Sequence, residues 1–193
     1  MTRPDSVHPT AVVDPKATLG PGVQIGAFSV VGPDVTLGAD AEVGHHCVLE
    51  GRVEIGERAT IGGLTGLVPF TRIGAYAYVG GVSKVTADVP PYVIADGNPA
   101  AAHGINVVGL RRAGMVAAER RLLQDAYRLL YRSGLSPQRA VERIRQELPA
   151  AAPVARLLDF VAGSRRGICG PSQRDRSLLG DEEDAVPTPE ASL

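Results

Sequence analysis

The sequence predicts a β-class fold, a parallel β-helix built from hexapeptide repeats, followed by a small α-helical C-terminal domain. Three observations predict it. An aliphatic residue recurs at every sixth position from Val7 to Val85 without a slip. Four places after each of these positions the residue is small or slim, as at Ala11 and Ala41. From about Val107 the apolar residues change to helical spacing.

A period of six is neither the 3.6 of an α-helix nor the simple alternation of a strand, so it describes a repeating supersecondary unit. We interpret each hexad as one side of a triangular coil, with the aliphatic residues stacked inward and the small residues sharing the narrow interior. Collagen needs glycine at every third position and a coiled coil needs heptads, so both are excluded. Periodicity does not give the handedness of the coil.

Composition is that of an ordinary soluble protein, with 44% hydrophobic residues and a formal net charge of −1 among 193 residues. Nucleic acid is therefore a poor candidate partner. Two cysteines, Cys47 and Cys169, make no disulfide framework, which is consistent with a reducing compartment. Residues 1–5 contain no apolar signal region, and no apolar stretch is long enough to span a membrane. We therefore expect a cytoplasmic protein without a membrane span.

Changes in composition divide the chain into four parts. Residues 1–91 form the β-helix, which Pro90 and Pro91 end because consecutive prolines remove hydrogen-bond donors from the ladder. Residues 92–106 are rich in Gly, Pro and Ala and predict an extended connector. Residues 107–163 predict three helices, the second opened by Ser136 as N-cap and Pro137 at the first helical position. Residues 164–193 predict a disordered tail.

Eight segments between residue 7 and about residue 134 form a recognisable set. They are Val7-His8-Pro9-Thr10-Ala11, Ile61-Gly62-Gly63-Leu64-Thr65, Val79-Gly80-Gly81-Val82-Ser83, Asp88-Val89-Pro90-Pro91-Tyr92-Val93-Ile94-Ala95, Gly97-Asn98-Pro99, Gly104-Ile105-Asn106, Gly109-Leu110-Arg111-Arg112 and Tyr127-Arg128-Leu129-Leu130-Tyr131-Arg132-Ser133-Gly134. They resemble the acyl-carrier-protein–UDP-N-acetylglucosamine O-acyltransferase family of lipid A biosynthesis. The resemblance extends from residue 7 to about residue 168, and its strongest parts are the exit from the β-helix and the helical domain.

The resemblance implies a left-handed coil, a homotrimer and transfer of a 3-hydroxyacyl group from acyl carrier protein to a UDP-amino sugar, without a cofactor. The chain also differs from members of this family in one segment. Members of the family carry additional coils before the segment that starts at Ile61, and those coils hold the catalytic histidine, which acts as the general base. The six-residue register crosses this junction unbroken, so the missing segment corresponds to whole hexads.

His45 is the candidate for a substitute base. It lies two places after the inward Val43, in the phase that the family's base occupies, and Cys47 follows it. The alternative is that His45 and His46 are two solvent-facing corner residues. Because adjacent histidines in one hexad diverge and no third histidine follows at a suitable phase, we predict no metal site.

The family resemblance also implies substrate-binding roles. Asn106, Arg111 and Arg112 correspond to the segment that approaches the nucleotide-sugar phosphates, although a solvated basic helix start explains the two arginines equally well. Gly81 corresponds to the position where side-chain size limits the acyl chain. Arginines make the helical domain basic and would attract an acidic acyl carrier protein. They are Arg120, Arg121, Arg128, Arg132, Arg139, Arg143 and Arg145.

Two hypotheses follow. In the first, the chain transfers an acyl group from acyl carrier protein to a UDP-amino sugar and uses His45. In the second, it is a non-catalytic trimeric scaffold, or a relative that binds acyl carrier protein. The absent histidine coils favour the second hypothesis on chemical grounds, and the resemblance favours the first.

Overall fold

The structure, a computed structural model, describes residues 6–178. Its first half is a solenoid of two-residue strands that follow the predicted period of six. These strands are β1 Ser6–Val7, β2 Val12–Val13, β3 Thr18–Leu19, β4 Gln24–Ile25, β5 Val30–Val31, β6 Thr36–Leu37, β7 Glu42–Val43, β8 Val48–Leu49, β9 Glu54–Ile55, β10 Thr60–Ile61, β11 Gly66–Leu67, β12 Arg72–Ile73, β13 Tyr78–Val79 and β14 Lys84–Val85.

The strands form three parallel sheets, which are the faces of a triangular prism. Face A contains β1, β4, β7, β10 and β13, face B contains β2, β5, β8, β11 and β14, and face C contains β3, β6, β9 and β12. Each strand pairs with the strand three hexads later, as when Val12 pairs with Val30 and Thr18 pairs with Thr36. The predicted parallel β-helix is confirmed.

The interior of the prism is filled as the sequence pattern indicates. Leu37, Leu49 and Ile61 are at most 1% exposed, and the small residues Ala41 and Ala59 between them are fully buried. The burial of stacked aliphatic side chains is the main source of stability in such a coil. No large ring fits in this narrow space, and the aromatic residues of the solenoid lie at its corners or on its faces.

From Gly22 to Val82, the second residue of each corner of the prism lies in the left-handed region. Between faces A and B this column contains Phe28, His46, Leu64 and Val82, with φ values from 56° to 61°. The coil imposes this conformation through hydrogen bonds along the axis, because the N–H of His46 donates to the carbonyl of Ala27 at 2.9 Å. We call this column, with the residues that precede each member, the A/B corner.

Residues 92–106 form a hairpin of two antiparallel strands, which is more structure than the predicted extended connector. The strands are β15 Val93–Gly97 and β16 Ala100–Ile105. β15 pairs in parallel with β13, so the hairpin continues face A. Its buried residues Tyr92, Val93 and Ala95 cover the upper end of the solenoid, where the last coil would otherwise expose its apolar interior.

Helices follow the hairpin and pack on it and on one another. They are α1 Val107–Arg112, α2 Ala117–Tyr131, α3 Pro137–Glu147 and α4 Ala152–Ala162. The first predicted helix is divided in two, because Gly114 adopts a φ of 84° that ends α1. The predicted cap is confirmed, since the Ser136 side chain accepts a hydrogen bond from the N–H of Arg139. Among the helices of residues 6–178, none has the length and apolarity that a membrane span requires.

The prediction of a disordered tail from residue 164 is wrong for residues 164–178. The backbone of residues 167–172 pairs with two earlier segments: the N–H of Asp88 donates to the carbonyl of Gly167 at 3.0 Å, and the N–H of Ala102 donates to the carbonyl of Gly170 at 2.8 Å. A short helix, α5 Gln173–Ser177, then places Asp175 in the interior. Residues 179–193 lie outside the described residues.

Candidate functional site

A polar groove lies where α1 meets the corner between faces C and A. It has a volume of about 340 Å³. The solenoid contributes Asp40, Arg58 and Tyr76, and the start of the helical domain contributes Asn106 and Arg112. The structure therefore brings together two of the substrate-binding residues that the sequence predicts.

Asn106 has a structural role that its sequence position did not reveal. Its side-chain oxygen caps α1 by accepting a hydrogen bond from the N–H of Gly109 at 2.9 Å, and its Nδ2 donates to the carbonyl of Tyr76 at 3.0 Å. Both ends of the amide are therefore used to dock α1 on the solenoid corner. Asn106 positions the helix that presents Arg112.

The two adjacent arginines of α1 are exposed and differ in direction. Arg112 lines the groove, whereas Arg111 does not. Both lie in the last turn of the helix, where a positive charge is favourable to the helix dipole. Arg58 lies opposite, 3.4 Å from the carboxylate of Asp40 and 6.0 Å from the centre of the Tyr76 ring. The groove thus offers guanidinium groups and an aromatic ring at one solenoid corner.

His45 lies at the A/B corner and is exposed. Its Nδ1 accepts a hydrogen bond from the N–H of Ala27, one coil below, at 2.8 Å. In the neutral ring the proton therefore resides on Nε2, and the remaining lone pair is already occupied. This arrangement counts against a general-base role for His45. The neighbouring His46 stacks on Phe28, with the ring centres 5.0 Å apart.

Gly81 lies on the same corner, two coils above His45. It is exposed, and a Cβ at this position would approach the carbonyl oxygen of Gly63 to 3.1 Å. A side chain at position 81 would therefore be in tight contact with the backbone of the coil below it.

The predicted site residues form two separate groups within one chain. Asn106 and Arg112 lie at the edge where the chain enters face A, and His45 and Gly81 lie at the edge where it leaves face A. Within one chain, the two groups therefore lie at opposite edges of face A.

A buried polar cluster that sequence reasoning missed joins α2 to the C-terminal segment. The hydroxyl of Tyr127 donates to Asp175 at 2.6 Å. Arg132 Nε lies 2.8 Å from the other carboxylate oxygen, as an ion pair without hydrogen-bond alignment. Nearby, the hydroxyl of Tyr131 lies 3.9 Å from the Cys169 thiol.

Burial sets the ionisation of these groups. It raises the pKa of the Cys169 thiol to about 12. Burial also raises the pKa of Tyr127, and its hydrogen bond to Asp175 adds to the effect. Cys169 is therefore a neutral thiol at physiological pH and a poor nucleophile. The cluster therefore has a structural role, because it holds the C-terminal segment against α2.

No group of three or more His, Cys, Asp and Glu side chains within residues 6–178 is arranged to hold a metal ion.

Comparison with known proteins gives matches in both halves of the chain. A family model described as UDP-N-acetylglucosamine O-acyltransferase, domain 2, matches residues 88–169, and a bacterial transferase hexapeptide model matches residues 16–51. An acyl-(acyl-carrier-protein)–UDP-N-acetylglucosamine O-acyltransferase of Paraburkholderia phymatum is 52% identical over 93 residues, which are 46% of this chain and 35% of that protein. The match thus spans about a third of the length of that relative.

Two solved structures are similar to this chain over most of its length. LpxA from Acinetobacter baumannii is 27% identical with a TM-score of 0.60, over 84% of this chain and 99% of that one. LpxA from Bacteroides fragilis, a UDP-N-acetylglucosamine acyltransferase, has a TM-score of 0.65 at 24% identity, over 85% of this chain and 86% of that one, and supports the fold. The chain is therefore similar to the acyl-(acyl-carrier-protein)–UDP-N-acetylglucosamine O-acyltransferases in residues 88–169, which match the second domain, and in its hexapeptide solenoid.

Proposed function

We propose that the chain acts in lipid A biosynthesis, in the cytoplasm, as an acyltransferase that moves a 3-hydroxyacyl group from acyl carrier protein to a UDP-amino sugar. The observation that carries the proposal is the groove beside α1, within the segment that matches the family's second domain. There Asn106 fixes the helix and Arg112 presents a guanidinium to the groove, a geometry suited to the phosphates of a nucleotide sugar.

The helical domain supports acyl carrier protein as the acyl donor. Arg121, Arg139 and Arg145 are exposed and form no ion pair with any residue in 6–178. Their charge is available to an acidic partner and would accelerate the encounter. By contrast, Arg132 is committed to Asp175, and Arg120 is committed to the carbonyl of Met115.

An apolar surface on the solenoid supports association into a homotrimer. Val12, Val30 and Val48 lie side by side on face B, and Leu64 and Val82 extend the surface along the A/B corner. All are more than 40% exposed, up to 71% for Val82. Contiguous exposed apolar surface of this kind is typical of a contact between protein chains. Association would also allow the two groups of site residues to meet across copies.

One observation favours the second candidate function, a non-catalytic scaffold that binds acyl carrier protein. Acyl transfer to a hydroxyl needs a group that removes its proton. His45 accepts the N–H of Ala27 at Nδ1, so the neutral ring has no free lone pair to offer the substrate. The first function therefore requires either that this hydrogen bond opens on substrate binding or that another group acts as base.

A turnover assay separates the two functions. The native chain is incubated with 3-hydroxyacyl carrier protein and UDP-N-acetylglucosamine, beside His45→Ala and, as a matched control, His46→Ala. Acyl transfer by the native chain that falls by roughly a hundredfold or more in His45→Ala, but not in His46→Ala, establishes the first function with His45 as base. A folded native chain that binds acyl carrier protein and produces no acylated sugar establishes the second.

A further inference from the structure

An apolar groove lies on the helical domain, between the end of α3 and the start of α4, and we call it the α3/α4 groove. Its volume is about 440 Å³. Leu148, Val154 and Leu158 line it, together with the exposed residues Pro149 and Ala155. All of its lining residues lie between 144 and 159, so it shares none with the groove beside α1.

The α3/α4 groove is lined by one basic and one acidic side chain. Arg145 is exposed, and its side chain forms no ion pair or hydrogen bond with any other residue in 6–178. Its neighbour Arg143, by contrast, is paired with Glu147 at 2.6 Å. Asp159 lines the groove from α4. An acidic occupant is therefore attracted to Arg145 and repelled by Asp159, which sets its direction in the groove.

The chain itself contains an acidic segment of opposite charge to the helical domain. Residues 107–178 include fourteen arginines and six acidic residues, whereas residues 179–193 include five acidic residues and no basic one. Four of these five are consecutive, from Asp181 to Asp184. Because both parts belong to one chain, their attraction acts at an effective concentration on the order of millimolar.

The order of residues in the acidic segment also matches the groove. The acidic run is followed directly by the apolar triplet Ala185-Val186-Pro187. In the groove, Arg145 lies beside the apolar surface of Leu148 and Leu158. An occupant with carboxylates next to apolar side chains therefore meets both kinds of surface at once.

The segment is long enough to reach the groove from the end of α5. Asp175 holds α5 against the end of α2, because it contacts both Tyr127 and Arg132. α3 starts near that end of α2, and its 11 residues carry the chain about 16 Å to the groove. One helix-to-helix distance adds about 10 Å. The residues from Leu179 to Val186 span up to about 28 Å when fully extended, so Val186 can reach the apolar surface.

We propose that residues 181–187 dock in the α3/α4 groove of their own chain, with the acidic run on Arg145 and the apolar triplet against Leu148 and Leu158. This docking does not depend on acyl transfer. One consequence rests on the proposed function: Arg145 is among the arginines available to acyl carrier protein, so the docked segment would compete with that partner.

A spin label on the full chain tests the docking. Both native cysteines are buried, with Cys47 0% and Cys169 2% exposed, so Thr188→Cys provides a position that a nitroxide reagent labels selectively. We expect the NMR methyl signals of Leu148 and Ala155 to lose most of their intensity through paramagnetic broadening. The methyl signals of Val7, in the first strand of the solenoid, serve as the reference and should keep their intensity.

Variants of the spin-labelled chain test each contact. We expect the Leu148 signal to recover severalfold in Arg145→Gln, in Val186→Ser and in a chain with a neutralised acidic run. Arg139→Gln is the matched control and should leave the broadening unchanged, because Arg139 is an exposed arginine of the same helix that lies outside the groove. The neutralised run carries Asp181→Asn, Glu182→Gln, Glu183→Gln and Asp184→Asn.

Three results would overturn the proposal. Equal intensities for Leu148 and Val7 in the spin-labelled chain mean that the segment does not dock. Equal loss of broadening in Arg139→Gln and Arg145→Gln means that general charge attraction acts without a site. The third result comes from mixing isotope-labelled chain that lacks the spin label with spin-labelled chain that lacks the isotopes. Broadening of Leu148 in this mixture assigns the segment to the groove of a second copy.

Discussion

Single residues at the corners show where sequence pattern stops predicting conformation. The inward aliphatic residues from Ile25 to Val85 were placed correctly from their period of six, whereas Val7 and Leu19 at the N-terminal end of the solenoid are exposed. The left-handed conformation of Phe28, Leu64 and Val82 was not predicted, because bulky and β-branched residues avoid positive φ. It is imposed by hydrogen bonds to the coil below, such as that from the N–H of Leu64 to the carbonyl of His45 at 2.8 Å. Each corner is therefore determined by its neighbour in the stack.

At the same scale, Asp175 is expected to hold the C-terminal segment in place. Asp175→Asn removes the charge that faces Arg132 and weakens the hydrogen bond from Tyr127, so we expect a loss of roughly 2 kcal/mol in the free energy of unfolding, less than for a fully buried pair because Arg132 is partly exposed. Urea denaturation measures this loss, and hydrogen exchange of residues 170–178 reports whether α5 detaches. Arg174→Ala, on the exposed side of α5, is the control and should change stability by less than about 0.5 kcal/mol.

Secondary-structure elements were predicted unevenly, for identifiable reasons. The helix opened by Ser136 was found because its cap and proline are local signals. The hairpin was missed because β16 begins with Ala100, Ala101 and Ala102, which carry no strand pattern. The order of residues 164–178 was missed because it depends on contacts with Asp88, Ala102 and Tyr127, which composition does not reveal.

Two glycines of the solenoid, Gly74 and Gly66, differ in how much space surrounds them. A Cβ on Gly74 would clash with the backbone nitrogen of Pro91, whereas a Cβ on Gly66 would meet no atom within 4 Å. We expect Gly74→Ala to destabilise the chain by about 2 kcal/mol or more, because the exit of the solenoid must move away. Gly66→Ala, its matched control, should be neutral or slightly stabilising. Equal unfolding midpoints in urea for the two variants would contradict this account of the exit.

For the molecule as a whole, the candidate site was predicted only in part. The sequence associated Asn106 with Arg112, and they share a groove. It did not reveal that His45 and Gly81 lie across face A from them, since a period of six gives a position along one side of the coil and not which side. That assignment requires the three-sided register in which Val12 pairs with Val30.

The exposed apolar surface of the solenoid predicts that the chain forms a trimer. Analytical ultracentrifugation of the native chain is expected to give three times the chain mass of 20.1 kDa. Val48→Asp combined with Leu64→Asp places charges on the apolar surface and should reduce the mass to that of one chain. Thr18→Asp, an exposed substitution on face C, is the control and should leave the trimer intact. A double variant that keeps the native mass would mean that the chains associate through another surface.

The three-hexad register also constrains how such a chain can change in length. Insertion or deletion of one full turn moves the hairpin along the axis by one inter-strand spacing, about 4.8 Å, and leaves it above face A, where β15 now pairs with β13. A single hexad would instead rotate the hairpin and helices α1 to α5 by about one third of a revolution about the solenoid axis, and would move Arg112 to a different side of the solenoid. The chain can therefore change in length without changing the orientation of the helices about the solenoid only by gaining or losing complete turns.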